Sequence, residues 1–218
     1  MSSFPNSPRL LKGGLVLVDA GSGAVRRIVT FQYNPDSLQR SLQIQGTGDG
    51  SERSEALRLK GPPVETIKLE AEIDATDHLE FPDRNPATVA LGIHAQLASL
   101  EAIAYPSSAA LIANDALASA GTIEIVPMET ALTLFVWSAQ RILPVRITEF
   151  SITEDAFDPL LNPIRAKVSI GMRVLSVDDV GFAHRGGSLF MAYLRAKESL
   201  VGRAQAGSLS NLGLGGAP

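Results

Sequence analysis

The chain has 218 residues, of which 45% are hydrophobic and 19% charged, with a net charge of −4 and no cysteine. That length makes one large domain or two small ones, and the apolar share excludes wholesale disorder. The weakly acidic balance argues against a nucleic-acid partner, and the lack of cysteine excludes disulfides, thiolate zinc sites, iron–sulfur clusters and cysteine nucleophiles.

No run approaches the roughly 18 consecutive apolar residues of a membrane span, so no direct membrane insertion is expected. The first apolar run, Leu15 to Val18, is shorter than the apolar stretch of about 7–15 residues in a signal peptide. The expectation is a chain made in the cytoplasm without a standard signal.

Residues 1–14, with Pro5, Pro8, Gly13 and Gly14, read as a flexible N-terminal arm. Leu15 to Ala20 and Ala24 to Tyr33 are β-rich runs around Gly21-Ser22-Gly23, a hairpin signal. Leu38 to Gln45 alternates, with Leu38, Arg40, Leu42 and Ile44 on one side and Gln39, Ser41, Gln43 and Gln45 on the other. Residues 46–55 read as an exposed, mobile loop. Val64 to Ile73 alternates again, Ile67, Leu69, Ala71 and Ile73 facing inward and Lys68, Glu70 and Glu72 facing water. An acidic loop over 74–83 follows.

Asn85-Pro86 predicts the start of a helix near 86–105, with Asn85 as N-cap and Pro86 in the first turn. Val89, Ile93, Leu97, Leu100 and Ala104 give it one apolar face. Residues 107–121 read as an insertion with a short helix from Ala109 to Ala118. Ala131 to Ser138 is apolar on both faces, which predicts a central strand. In Arg141 to Glu154 the apolar parity changes between Val145 and Ile147 and Phe150 and Ile152, which predicts a β-bulge near Glu149. Residues 157–163 read as a turn. Ile164 to Val174 alternates strictly with Arg165, Lys167, Ser169, Gly171 and Arg173.

Ser188 to Arg203 predicts a second helix, with Phe190, Tyr193 or Leu194, Lys197 and Leu200 on one side. The domain reading is thus a β domain over 15–180, a C-terminal helix within 181–206 and a disordered tail over 207–218. About eight strands and two helices, not regularly alternating, predict a mainly β fold: an antiparallel sandwich or half-barrel with one or two packed helices.

The candidate chemistry is sparse. Gly21-Ser22-Gly23 lacks the third glycine and following helix of a dinucleotide fingerprint and reads as a turn. Asp74, Asp77, His78, Glu80 and Asp83 form an acidic cluster without the pattern of a calcium loop. His78, His94 and His184 have no zinc spacing, no serine lies in Gly-x-Ser-x-Gly, and His94 reads as structural. A triad assembled in space, or a metal held by His78 and Asp77, leaves a small β-sandwich hydrolase or metal enzyme as the reading of another class. Arg165, Lys167 and Arg173 share one strand face, with Arg141 and Arg146 on a predicted neighbour. Glu65, Glu70 and Glu72 make an opposing acidic stripe, and a basic face with acidic strands elsewhere can pair with copies of itself. Trp137 reads as a core or rim anchor.

Five segments then come in order over residues 15–175. They are Phe31-Gln32-Tyr33-Asn34-Pro35, Leu69 to Asp77, Leu132 to Trp137, Val145 to Phe150, and Asn162 to Val168. Together they resemble the tube-like proteins of contractile injection systems and phage tails, most of all the baseplate adaptor between inner tube and spike hub. The chain departs from that pattern after Val174, where a helix and a Gly/Ser tail stand in place of a LysM module. The resemblance implies a non-enzymatic structural subunit without cofactor or metal. It implies a β-sandwich or half-barrel that closes into a ring of six copies, each continuing its neighbour's sheet, as tube initiator or adaptor, or alternatively as tube terminator. The implied partners are other copies, the inner tube protein, and spike, hub and baseplate proteins. The implied location is the bacterial cytoplasm during assembly and the injection particle thereafter. On this reading Arg141, Arg146, Arg165, Lys167, Arg173, Gln39, Gln43, Glu70 and Glu72 are the candidates for the subunit interface or the channel face.

Overall fold

Alternating sequences pair into one sheet here, and the order in which they pair positions everything else. The computed structural model describes residues 10–46, 58–119, 131–204, 207 and 209–212. Most of the expected arm, the loop at 46–55 beyond Gly46 and most of the tail lie outside the described residues; within the tail expected to be disordered, Leu209–Leu212 forms a 3-10 turn. The strands are β1 (Gly14–Val18), β2 (Val25–Thr30), β3 (Leu38–Gln43), β4 (Val64–Asp74), β5 (Leu132–Ser138), β6 (Arg141–Phe157) and β7 (Pro163–Val174). They form a seven-stranded sheet in the order β2-β1-β5-β6-β7-β4-β3, with every neighbouring pair antiparallel. The mainly β, antiparallel fold is as expected, with seven strands rather than eight among the described residues.

The hairpin of β1 and β2 forms as its turn chemistry dictates. Asp19 Oδ1 accepts from the Ser22 amide and hydroxyl, and its other oxygen pairs with Arg26. The Ser22 amide, then Arg26, hold the Asp19 carboxyl down to about 2. β5 lies inside the sheet between β1 and β6. The expected bulge is present, since the β6–β7 register shifts between Ile147 and Glu149 and leaves Thr148 unmatched. β6 runs three residues beyond its expected end, to Phe157, into a turn tied by Asp158. That side chain accepts from the amides of Leu160 and Asn162 at 2.8 Å each.

The predicted single helix at 86–105 is two. α1 (Thr76–Leu79) and a 3-10 turn at Pro82–Arg84 occupy the expected acidic loop, and α2 (Pro86–Leu91) is separated from α3 (His94–Glu101) at Gly92. Gly92 has φ of 55°, and its close approach to the Pro163 carbonyl leaves no room for a Cβ. The Ile93 amide donates to that carbonyl at 2.9 Å. The break therefore docks the chain on the β6–β7 turn and aims Ile93, Leu97 and Leu100 into the core, while Val89 and Ala104 stay outside it. Asn85 does not cap α2 with its side chain; it donates to the carbonyls of His78 and Phe81 instead.

α4 (Ser108–Ser119) stands where a short helix was expected. α5 (Val177–Val180) opens with a capping box between Ser176 and Asp179. α6 (Arg185–Val201) starts three residues earlier than expected because His184 Nδ1 accepts from the Gly186 amide at 3.0 Å and caps it. Of the residues expected on one side of α6, Phe190 and Tyr193 are buried and Leu200 is exposed. The core lies between α3 and α6 and one face of the sheet, around Leu15, Ile67, Phe135, Leu143, Ile170 and Met172. Each such side chain contributes about 1.5–3 kcal/mol through burial.

Candidate assembly surface

Register decides which side chains share a face, because antiparallel partners point the same way. On β7, Arg165 lies opposite Asp74 of β4 and Asp155 of β6. Lys167 lies opposite Glu72 and Thr153, and Arg173 opposite Thr66 and Arg146. Gln39 lies opposite Lys68, Gln43 opposite Val64, and Glu70 opposite Ser169. Eight of the nine candidate residues thus fall on one polar face spanning β3, β4, β7 and β6. Arg141 stands apart, on the side of β6 shared with buried Leu143 and Val145.

The electrostatics of that face differ from the expected basic surface with acids elsewhere. Because β4 pairs with β7, acids and bases interleave on it. Arg165 Nε meets Asp74 Oδ2 at 3.0 Å, and Lys167 Nζ lies 3.9 Å from Glu70 Oε1. Arg173 Nη2 donates to Asp179 Oδ1 at 2.7 Å. Lys68 and Glu149 meet at 2.7 Å across Gly171, whose missing side chain leaves the space between their strands open. Arg146 and Glu72 have no ion pair among the described residues.

Glu65 is not on this face. It shares the inward parity of Ile67 and Leu69 and is 3% exposed. Arg40 Nε donates to its Oε1 at 2.8 Å, Tyr193 Oη donates at 3.4 Å, and Lys197 Nζ reaches Oε2 at 3.3 Å. Burial alone would lower the Arg40 pKa; the Glu65 carboxylate and Tyr193 outweigh it and hold it above its ordinary value. This cluster ties α6 to the strands β3 and β4. Its signal in the sequence was Glu65 itself, on the apolar parity of an alternating strand.

Three of the five resemblance segments meet at one corner. The Gln32 side chain clasps the end of β4, donating to the Asp74 carbonyl at 2.7 Å and accepting from the Asp74 amide at 3.1 Å. Asp74 Oδ1 in turn accepts from the Thr76 amide at 2.7 Å while Oδ2 holds Arg165. Asn34 pins the approach to β1, accepting from the Gly13 amide at 2.9 Å and donating to the Leu11 carbonyl at 2.8 Å. Trp137 stacks on Phe135 with ring centroids 5.9 Å apart and lies against Gly13. Gln32→Ala is expected to lower stability by about 1–2 kcal/mol by leaving the Asp74 backbone groups without their partner. Urea denaturation measures this, and an unchanged midpoint would mean the clasp contributes nothing.

Burial pushes the Asp74 carboxyl up, and the Thr76 hydroxyl and amide with Arg165 outweigh it, holding it below its ordinary value. A carboxyl depressed in the folded state stabilises above its unfolded pKa of about 3.9, and that stabilisation is lost as pH falls through the folded pKa. With Asp19 at about 2, stability is expected to fall between about pH 4 and pH 2. Asp74→Asn should flatten part of that fall in thermal melts across this range. An identical acid profile for the variant would remove Asp74 from the account.

Among the described residues, no three His, Asp or Glu side chains gather as a metal site. His78 and His94 are exposed, and His184 serves as the cap of α6. No helix among the described residues is long and apolar enough to cross a membrane. No family model matches the chain, and no curated protein does. Among solved structures it is similar to a chain of the tail of an empty GTA particle, computed with helical refinement in C6 symmetry. That similarity is 9% identity and a TM-score of 0.30 over 75% of this chain and 90% of that one. A TM-score of 0.30 is too low for the likeness to bear on the fold or the work of this chain.

Proposed function

We propose that this chain is a structural subunit of a phage-tail-like contractile injection particle, and that its work is assembly rather than catalysis. Copies close into a ring, six on the resemblance, at the junction of tube and spike, as tube initiator or adaptor. The observation that carries the reading is the polar face crossing four strands, charge-balanced by interleaved pairs and open among the described residues except at its Arg173 corner, where Asp179 of α5 lies against it. In a ring such a face lines a wet channel or meets the neighbouring subunit. The edge strands β2 and β3 support it, because both are largely exposed and, among the described residues, each has a strand on one side only. Free edges of this kind are pairing sites for other chains.

The test is the mass and shape of the purified protein, alone and with the products of neighbouring genes, by light scattering and electron microscopy. Rings, or stable co-purification with a tube or spike-hub protein, are expected. A monomer that ignores both would overturn the reading. Capture by the tube protein without the hub would place the chain at the terminator end instead.

A further inference from the structure

A cavity of about 220 Å³ opens where the sheet curls back on itself. One wall is residues 28–32, the end of the outer edge strand β2 and the two residues after it. The other is residues 71–73 of β4, which lie beyond the stretch paired with β3, since that pairing stops at Leu69. Gln96, Ser99 and Leu100 of α3 close the bottom. Glu72 on the rim has no ion pair among the described residues. Two strand margins that face no further strand among the described residues, a lining that includes Ile28, Phe31, Ala71, Ile73 and Leu100, and an unpaired carboxylate on the rim suit an extended segment with an apolar residue beside a cation.

The chain carries such a segment. Arg58, Leu59 and Lys60 are all exposed, Leu59 at 68%, and Leu59 sits in an isolated antiparallel bridge with Gly46. Neither cation has an ion pair among the described residues. This segment cannot reach its own cavity: it precedes the start of β4, and the cavity lies near the other end of that strand, about 25–30 Å away at about 3.3 Å per residue.

We propose that the cavity between β2 and β4 receives the Arg58-Leu59-Lys60 segment of a second copy, Leu59 entering it and a flanking cation meeting Glu72. This rests on the assembly reading and names the contact that joins copies. The contact is head-to-tail, the kind that closes rings or runs into filaments.

The absence of cysteine makes the test direct. Full-length Leu59→Cys and full-length Ser99→Cys are mixed and oxidised. A disulfide-linked pair holding one of each is expected, and Phe182→Cys, also exposed, is expected not to link to Ser99→Cys. Leu59→Asp should weaken self-association about thirtyfold or more, with an unchanged melting curve showing that the fold is intact. Glu72→Lys should weaken it, and reversing Arg58 and Lys60 to glutamate in the same chain should restore it. Self-association that survives Leu59→Asp, with no mixed disulfide, would overturn this contact and leave the ring reading standing. A wild-type chain that stays monomeric yet binds tube or hub protein would also overturn the contact alone.

Discussion

Gly92→Ala is expected to cost about 3 kcal/mol or more, combining backbone strain with overpacking. The residue sits at φ 55°, ψ −131°, a region that side-chain-bearing residues avoid, and a Cβ there would lie 2.2 Å from the Pro163 carbonyl oxygen. Neither partner can yield cheaply. The Pro163 oxygen also holds the Ile93 amide, and retreat from it lifts Ile93, Leu97 and Leu100 away from the sheet. Gly181→Ala separates the two causes, because Gly181 has φ of 77° with open space around it. Strain alone predicts about 1–2 kcal/mol at that position. Urea denaturation of both variants measures the difference, and equal losses would show that the contact with Pro163 contributes nothing.

Arg40→Met is expected to lower stability by about 3 kcal/mol, because it strands a buried carboxylate. The Glu65 side chain is 4% exposed, and Lys197, at 38%, is too wet to replace the guanidinium. Lys197→Met should accordingly cost under about 1 kcal/mol. The double variant Arg40→Met with Glu65→Leu should recover most of the loss, since apolar replacement of a whole buried pair is close to neutral. If the double variant were no more stable than Arg40→Met, the loss would come from packing of the arginine stem rather than from the orphaned charge.

These two sites also mark where sequence reasoning stopped. Strand alternation was legible: β7 reads directly from Ile164 to Val174, and the parity switch between Ile147 and Phe150 put a bulge near Glu149, next to the unmatched Thr148. The hairpin turn was legible because Gly21-Ser22-Gly23 carries its own turn chemistry, which Asp19 completes by accepting from Ser22. The helix break at Gly92 was not, because helical periodicity from Val89 to Ala104 persists across it and the cause is a carbonyl some seventy residues away. The assembly candidates were legible as exposed polar positions, and register puts eight of the nine on one face. Their neutralisation by Glu70 and Asp74 was hidden, since it depends on β4 pairing with β7. Glu65 was grouped with the exposed acids, although its parity with Ile67 pointed inward.

The strand order has a further consequence, for synthesis. The first four strands made are the two flanks of the sheet, β1 with β2 and β3 with β4, and the middle of the sheet is made last. A nascent chain that has not reached Leu132 therefore holds two hairpins with no strand joining them into one sheet, and a lone hairpin is marginal in water. β4 finds its inner neighbour only when β7 emerges, about a hundred residues later in the chain. Pairings of such long range make folding slow and keep hydrophobic faces open until the end of translation. Production of this chain is thus expected to depend on holding chaperones, and C-terminal truncations before β7 should be cleared by proteases rather than fold into smaller domains.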